Sequence, residues 1–208
     1  MRSRDTFTSE QRRAQLVDAA IVVIAENGYP AASIARIAEH VGIAKSVALY
    51  HFRTKDELVA AVTTAVFAAA AGYIVPAIAA AGSATEKLAA YIRSNAAFLA
   101  EHREQTIALR EIATTYRSAD GRRFDEVVTD DATRNPPQGE LALLDPAAIF
   151  ALGVDNGEFR ADLDPVRTGS ALRGALDGAA TDHARLPDYD PIAYGETVVD
   201  LFTRAVIA

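Results

Sequence analysis

Apolar residues in the N-terminal part of the chain recur with the period of an α-helix. Thr8 and Gln11 form a capping-box pattern, which predicts that the first helix begins near Thr8. Asn27-Gly28 is a pair typical of a left-handed helix end, so the helix is expected to stop there. Its apolar stripe is formed by Leu16, Ala20, Val23 and Ile24.

Two short helices are predicted next, joined at a glycine. Ser33 is a suitable N-cap for a helix of about two turns, and Gly42 is a suitable residue to end it. A third helix is expected from about Ala44 to Tyr50. Two short helices joined in this way have the outline of a helix-turn-helix, which many helical bundles also contain. The single apolar face of the second helix consists of Ile34, Ile37, Ala38 and Val41.

A long apolar helix is predicted to follow. Thr54 and Glu57 form a second capping box, and the helix should run to about Tyr73, with Pro76 bending or ending it. The stretch from Leu58 to Thr85 has no charged residue and is long enough to span a bilayer. It is mostly alanine, however, and lacks the leucine, isoleucine and phenylalanine that favour insertion. We therefore expect a buried helix of a soluble protein and no membrane contact.

The rest of the chain also has helical periodicity, and no strand-like alternation occurs. The predicted fold is all-α, with an N-terminal three-helix domain at 1–54 joined to a larger helical domain at 55–208. Turn-forming pairs indicate a loop from Ser118 to Glu140 that contains a short helix. The helices are predicted at 85–102, 104–117, 124–128, 146–156, 165–183 and 191–206.

The net charge of −7 is distributed unevenly along the chain. Through Ala60 there are eight basic and seven acidic residues, whereas the remainder has thirteen basic and twenty-one acidic residues. The N-terminal part can therefore contact nucleic acid, and the acidic remainder would limit non-specific binding.

Several classes of function are disfavoured by the residues present. The chain has no cysteine and four scattered histidines, so neither a disulfide framework nor a typical zinc site is expected, and a reducing cytoplasm fits best. The sequence has no nucleophile elbow and no glycine-rich phosphate loop. We therefore predict a protein that is not an enzyme and has no cofactor or metal.

The side chains of the third helix favour a nucleic-acid contact. Lys45, Ser46, Tyr50 and His51 can all donate hydrogen bonds to phosphates or base edges. Arg53 and Lys55 stand at the start of the next helix, where the helix dipole also favours a phosphate. The alternative for these residues is a solvated face, with Tyr50 as a core aromatic and His51 as a capping or packing residue.

Several motifs in register resemble one known family. The chain from residue 8 to 62 resembles the N-terminal signature of the TetR (tetracycline-repressor-like) regulators. The motifs are Ala25-Glu26-Asn27-Gly28-Tyr29, Ser33-Ile34-Ala35-Arg36-Ile37-Ala38, Gly42-Ile43-Ala44-Lys45, Tyr50-His51-Phe52 and Lys55-Asp56-Glu57-Leu58. In the commoner family pattern an aromatic residue stands one position earlier, at Leu49, which leaves the roles of Leu49 and Tyr50 open.

The resemblance implies a homodimer whose recognition helices enter successive major grooves of a palindromic, double-stranded DNA operator. The C-terminal domain would bind a small-molecule effector. The candidate DNA-binding residues are Ser33, Arg36, Ala44, Lys45, Ser46, Val47, Tyr50, His51 and Lys55.

The effector and dimer residues are predicted from their places in the family fold. The effector pocket would lie between the long helix and later helices, and its apolar or aromatic walls would suit a largely hydrophobic ligand. Its candidates, each of which could also be plain core, are Phe67, Tyr73, Asn95, Phe98, Tyr116 and Phe150. The last two helices would form a four-helix dimer interface with Leu172, Leu176, Val199 and Phe202 inside.

The predicted function is transcriptional regulation, most simply as a repressor that the effector releases from its operator. Ligand binding would tilt the helix that starts at Thr54 and so change the spacing of the two recognition helices. The alternatives are a helical protein-interaction module, or an activator without ligand release. Substitution of Arg36, Lys45 and Lys55 by alanine distinguishes these hypotheses. It should weaken DNA binding and reduce the salt dependence of that binding, but leave a protein contact made by apolar groups largely intact.

Overall fold

The computed structural model describes residues 2–134 and 139–207 of the chain. Over these ranges the chain is helical and has no strand, apart from an isolated bridge between Arg117 and Arg123. The predicted all-α class is therefore confirmed. The helices are α1 (Arg2–Asn27), α2 (Ile34–Val41), α3 (Lys45–His51), α4 (Lys55–Ala79), α5 (Ala84–Glu101), α6 (Arg103–Thr115), α7 (Phe124–Arg134), α8 (Pro146–Asp155), α9 (Pro165–Arg185) and α10 (Pro191–Val206), with 3-10 turns at Tyr29–Ala31 and Gly139–Leu144.

The chain forms two compact units. The N-terminal unit consists of Met1–Phe67 and Glu104–Asp130, and the C-terminal unit consists of Ala68–Arg103 and Asp131–Ala208. Helix α4 therefore contributes its first half to one unit and its second half to the other. Compactness alone does not test the division of roles between 1–54 and 55–208, which stays a prediction.

In the N-terminal unit, local signals set the ends of the short helices. The Ser33 hydroxyl accepts a hydrogen bond from the Arg36 amide at 3.2 Å, and Gly42 ends α2 in the left-handed conformation at φ 74°. The Thr54 hydroxyl accepts from the Glu57 amide at 3.1 Å at the start of α4. The largest fully buried side chains of the helices α1 to α3 and their flanks are Leu16, Val23, Ile37 and Phe52.

Three predicted helix bounds differ from the structure by about six residues, and the other differences are of one or two residues. Helix α1 begins at Arg2 instead of Thr8, because no proline or glycine in that segment stops the helix. Helix α4 continues through Pro76 to Ala79, and α7 extends to Arg134. Pro76 cannot donate to the Gly72 carbonyl four residues earlier, yet the flanking turns continue the helix, as the 3.1 Å bond from the Ala80 amide to the Pro76 carbonyl shows.

The C-terminal unit packs α5, α8, α9 and α10 around one apolar core. Three glycines permit close approach, because a Cβ atom at each position would overlap a neighbour. At Gly153 it would lie 2.1 Å from the Phe159 ring, at Gly169 2.8 Å from the Ala147 backbone, and at Gly195 2.7 Å from Ala96. The largest fully buried side chains of this core are Ile78, Leu88, Ile92, Ile149, Phe150 and Leu172.

Helix α4 is long and apolar enough to cross a membrane by length and composition, a test that the core helix of a soluble protein also passes. It is the one such helix in the described ranges. Within the structure its buried side chains include Val62, Val66 and Ile78, each with 0% exposure.

Candidate nucleic-acid interface

Helix α3 projects a mixed polar and apolar face into solvent. Its one buried side chain is Ala48, which is 1% exposed, so α3 packs inward through its centre. Tyr50 is 79% exposed and Val47 is 42% exposed, which rules out the alternative that Tyr50 is a core aromatic. Ala44 is the N-cap residue of α3, and the exposed residues at and beyond it are Ala44, Lys45, Ser46, Val47, Leu49 and Tyr50.

This exposed face can read a nucleic acid in two ways. Lys45 and Ser46 begin α3, where their hydrogen-bond donors can reach phosphates or base edges. Val47 presents a branched apolar side chain, which suits contact with a thymine methyl group. Exposed apolar and aromatic side chains on so short a helix carry no benefit in water alone, so the face has the character of a contact surface.

Arg13 of α1 contacts the C-terminal end of α3. The Arg13 guanidinium lies 4.1 Å from the centre of the Phe52 ring, and its Nη1 donates to the His51 carbonyl at 2.8 Å. Sequence reasoning did not assign Arg13 to the site, because it precedes His51 by 38 residues and no local motif links the two. Arg13 is therefore a positioning residue for the end of α3.

His51 is half-buried at the C-terminal end of α3. Burial lowers the pKa of its imidazole, and the charges of Arg13 and Arg12 lower it further. Its ring meets that of Tyr50 edge to face, at 5.2 Å between centroids. These effects favour the neutral form of the imidazole, and a phosphate contact by His51 stays a prediction.

Two of the predicted DNA contacts also have roles within α2. The Ser33 hydroxyl is used as the N-cap, where it accepts from the Arg36 amide. The exposed Arg36 side chain donates from Nη2 to the Asn27 side-chain oxygen at 2.6 Å, which ties α2 to the end of α1. DNA contacts by Ser33 and Arg36 stay predictions, and Arg36 would have to share its guanidinium between Asn27 and a phosphate.

Lys55 holds the N-terminal end of α4 against the 3-10 turn. Its Nζ donates to the Tyr29 carbonyl at 2.7 Å and lies 3.9 Å from the centre of the Tyr29 ring. Burial lowers the pKa of the Lys55 ammonium. The ammonium therefore has a structural role, and a phosphate contact by Lys55 stays a prediction that this geometry does not favour.

The predicted effector residues are divided between the two units. Phe67, which is 44% exposed, and Tyr116, which is buried, belong to the N-terminal unit. In the C-terminal unit Tyr73 and Phe98 meet edge to face at 5.8 Å, while Asn95 donates to the Tyr91 carbonyl at 2.8 Å. Phe150 is fully buried in the core of that unit.

Polar residues that the sequence reasoning missed adjoin Tyr73. The Tyr73 hydroxyl donates to the Glu101 carboxylate at 2.5 Å and lies 3.1 Å from His102 Nε2. The His102 ring stacks on Phe98 at 4.8 Å. Because His102, the C-cap residue of α5, follows Phe98 by four residues, helical spacing would have been enough to group them.

The structure corrects the residues predicted for a dimer interface. Leu172 is 0% exposed, and Leu176 and Val199 are each 8% exposed, all within the core of a single chain. Residues enclosed by their own chain leave no surface for a partner. Phe202 is half-buried and packs beside Phe150, at 6.3 Å between ring centres. The apolar residues that α9 and α10 do expose are Val166, Ile192 and Leu201.

Comparisons with known proteins agree with this geometry. The sequence model described as bacterial regulatory proteins of the tetR family matches residues 16–62. The fatty acid metabolism regulator protein of Bacillus subtilis (strain 168) is 24% identical over 194 residues, which are 92% of this chain and 94% of that protein.

Two solved structures share the fold over nearly the whole chain. The fatty acid degradation regulator FadR from Bacillus halodurans has a TM-score of 0.74 at 21% identity, covering 91% of this chain and 97% of its own. FadR from Bacillus subtilis, solved in complex with stearoyl-CoA, has a TM-score of 0.72 at 22% identity, covering 93% and 98%. The matched residues 16–62 contain α2, α3 and the start of α4, so the exposed face of α3 lies within the segment that matches the family model. Residues 16–62 thus match the tetR family of bacterial regulatory proteins, and the chain as a whole shares the fold of the two FadR structures.

Proposed function

We propose that this regulator is a cytoplasmic repressor that binds a palindromic operator as a homodimer and is released by a long-chain fatty acyl-CoA. The observation that carries DNA binding is the solvent-exposed face of α3, with Lys45 at its start and Tyr50 79% exposed at its end. Supporting this, Ser33 caps the start of α2 and Gly42 ends it in the left-handed conformation, so α2 and α3 are joined by a short turn as in a helix-turn-helix.

The class of effector is supported by the relatives and by the composition of the C-terminal unit. The similar protein from Bacillus subtilis is a fatty acid metabolism regulator, and the FadR structure from that organism contains stearoyl-CoA. In this chain Tyr73, Phe98 and His102 form an aromatic cluster, with Glu101 and His102 as polar partners of the Tyr73 hydroxyl. Aromatic walls with few polar groups suit an acyl chain that ends in a polar thioester.

The dimer is supported by the outward faces of α9 and α10. Val166 is 71% exposed and Leu201 is 59% exposed, which is unfavourable for a monomer in water. A Cβ atom at Gly174 or Gly178 would meet nothing within 4 Å, so small residues leave this side of α9 open to the close approach of another helix. A second copy of the chain would cover these faces.

The experiment that tests the proposal is fluorescence anisotropy of labelled DNA from the region flanking the protein's own gene. We expect saturable binding that a palindrome from that region competes away, and that weakens steeply between about 50 and 200 mM salt. Failure to bind this or any genomic fragment would contradict the DNA-binding role and favour the protein-interaction module.

Effector release is tested in the same assay by titration with stearoyl-CoA. We expect the operator complex to dissociate with stearoyl-CoA and to persist with CoA alone or stearate at the same concentration. Dissociation by none of the three would reject acyl-CoA as the effector, whereas tighter binding with stearoyl-CoA would reject repression by release. Sedimentation of the free protein at micromolar concentration should show a dimer, and a monomer would contradict the proposed assembly.

A further inference from the structure

A buried tyrosine joins the end of α6 to the segment that contains α2 and α3. Tyr116 follows the last residue of α6 and is 5% exposed. Its ring meets that of Tyr29 edge to face, at 6.0 Å between centroids. Its hydroxyl is hydrogen-bonded to the carboxylate of Asp56, in the first turn of α4. Tyr116 therefore contacts both the 3-10 turn that precedes α2 and the helix that follows α3.

Further contacts hold the same elements together. Lys55 Nζ donates to the Tyr29 carbonyl at 2.7 Å and lies 3.9 Å from the centre of the Tyr29 ring. Helix α6 also places a carboxylate oxygen of Glu111 beside Gly28, where a Cβ atom would lie 3.5 Å from that oxygen. We call this group the α6 junction. Its members, which all belong to the N-terminal unit, are Gly28, Tyr29, Lys55, Asp56, Glu111 and Tyr116.

The hydroxyl of Tyr116 acts as a hydrogen-bond donor at neutral pH. Burial raises the pKa of Tyr116, and the charge of Asp56 and the hydrogen bond to it raise the pKa further. The phenol therefore keeps its proton and donates it to the carboxylate. A hydrogen bond to a charged acceptor is stronger than one between neutral groups, so this bond fixes the end of α6 at the start of α4.

The order of the chain connects the α6 junction to the aromatic cluster of Tyr73, Phe98 and His102. His102 is the C-cap residue of α5, and α6 begins at the next residue. The chain enters the N-terminal unit at Glu104 and reaches Tyr116 at the other end of α6. A displacement of His102 on effector binding would therefore have one continuous helix along which to reach the junction.

We propose that Tyr116 is a positioning residue that couples α6 to the helix-turn-helix, through the hydrogen bond from its hydroxyl to Asp56. The bond holds the start of α4, and with it α3, in the orientation that binds the operator. In this role Tyr116 contacts neither DNA nor effector, in contrast to its prediction from the sequence as a wall of the effector pocket. An effect of the effector on this bond rests on the proposed function, whereas the restraint on α3 and α4 in the free protein does not.

Hydrogen–deuterium exchange of the free protein is the first test. Tyr116→Phe keeps the ring and removes only the hydroxyl. Tyr91→Phe is the matched control, because Tyr91 is 6% exposed and lies in the C-terminal unit. We expect faster exchange over 29–58, from the 3-10 turn to the first turn of α4, in Tyr116→Phe alone. No change there in Tyr116→Phe, or the same change in Tyr91→Phe, would overturn the proposal whether or not the protein binds stearoyl-CoA.

Operator affinity gives a readout that a loss of stability alone does not change. Each variant loses one buried hydroxyl, so both should lower the thermal midpoint. Only Tyr116→Phe should weaken operator binding, by about 3- to 10-fold, because the orientation of α3 that binds is less populated. The salt slope should stay the same, since no phosphate contact is lost. Equal operator affinities of the two variants would contradict the positioning role.

Two variants of Asp56 test whether the hydroxyl acts through that residue. Asp56→Asn and Asp56→Ala both lose the charge, but asparagine keeps an oxygen that can accept the hydrogen bond. Asp56→Asn should therefore bind the operator more tightly than Asp56→Ala. The difference should vanish when each is combined with Tyr116→Phe. A difference that persists without the hydroxyl would refute this bond as the link.

The response to the effector is measured as the ratio of operator affinities without and with saturating stearoyl-CoA. Tyr116→Phe should reduce this ratio by about threefold, because a weaker link transmits less of the change in α6. A weaker affinity for stearoyl-CoA with unchanged operator affinity would instead return Tyr116 to the effector pocket and overturn the proposal. If the unaltered protein binds no stearoyl-CoA, the proposed effector is wrong, and the exchange experiment still decides the role of Tyr116.

Discussion

The two units of the chain differ in how far along the sequence their important contacts reach. In the N-terminal unit, Ser33 and Gly42 act on their own helix, and the candidate contact residues of α3 are on the surface. In the C-terminal unit the defining contacts are buried or join distant segments. The Glu158 carboxylate, for example, accepts hydrogen bonds from the Ala84 and Thr85 amides at the start of α5, more than seventy residues earlier in the chain.

This difference predicts that DNA binding and the stability of the fold depend on different residues. A side chain on the exposed face of α3 can change without disturbing the core, so substitutions there should alter binding and leave the thermal midpoint unchanged. A side chain in the C-terminal unit fills space that a neighbour needs, so substitutions there should alter stability first. The following four predictions test this separation, from the largest effect to the smallest.

Gly153→Ala should be strongly destabilising. The new Cβ atom would lie 2.1 Å from the Phe159 ring, which is itself 3% exposed and cannot move into solvent. Overpacking of this kind costs about 1–3 kcal/mol, which for a chain of this length lowers the thermal midpoint by about 2–10 °C. Calorimetric or circular-dichroism melting measures the change.

Gly72→Ala is the matched control for that substitution. Gly72 also lies within a helix, but a Cβ atom there meets nothing within 4 Å. Because alanine is the better helix former, Gly72→Ala should leave the midpoint unchanged or raise it. Equal destabilisation by both variants would show that helix position, and not the contact with Phe159, sets the cost.

Glu158→Gln should destabilise the protein less than Gly153→Ala, in a pH-dependent way. Hydrogen bonds from the Ala84 and Thr85 amides lower the pKa of Glu158 in the folded protein below its ordinary value of 4.5. Its stabilising effect is therefore fully present above pH 4.5 and is lost as the pH falls through the lower folded-state pKa. Melting curves of the two proteins should differ at pH 7 and converge in acid. A constant difference would mean that the charge of Glu158 is not the cause.

The sequence predicted the N-terminal helices well because their signals are local. The Ser33 cap and the Gly42 turn act within their own helix, and the Asp-Pro pairs likewise placed the starts of α8, α9 and α10 correctly. The sequence also pointed to the face of α3, because several side chains that can donate hydrogen bonds occur together on that short helix.

The same reasoning failed where a residue's environment depends on distant segments. Helical periodicity gives Leu172 and Leu176 an apolar stripe, but it cannot say whether that stripe meets its own chain or a partner, and the structure places it in the core of one chain. The close packing of Gly153, Gly169 and Gly195 against neighbouring segments likewise could not be predicted from the sequence. Pairing of distant segments leaves no periodic signal in a single sequence.

Lys45→Ala should weaken operator binding without changing stability. Lys45 is exposed at the first position of α3, so its loss would remove the proposed contact to DNA but no contact in the core. We expect the affinity to fall by about tenfold and the slope of log affinity against log salt to decrease by about one. Anisotropy at several salt concentrations, with a melting curve for each protein, measures both. A lowered midpoint, or an unchanged salt slope, would contradict the assignment.

Arg13→Met should give the smallest effect, and it tests whether recognition depends on positioning as well as on contact. Methionine keeps the apolar stem over Phe52 but loses the guanidinium 4.1 Å from the ring and the bond to the His51 carbonyl. The end of α3 is then less firmly held, so operator affinity should fall by about threefold while the salt slope stays unchanged.

Arg12→Met is the control. It removes the same charge from the preceding residue, whose side chain donates to Gln15 on the same helix. If Arg13 acts by holding α3, Arg13→Met lowers both affinity and the thermal midpoint, whereas Arg12→Met leaves the midpoint unchanged. If both variants instead lose equal affinity with equally reduced salt slopes, Arg13 contributes charge alone. The separation between the surface proposed to recognise DNA and the core that provides stability would then include Arg13, because its effect on binding would not depend on how firmly α3 is held.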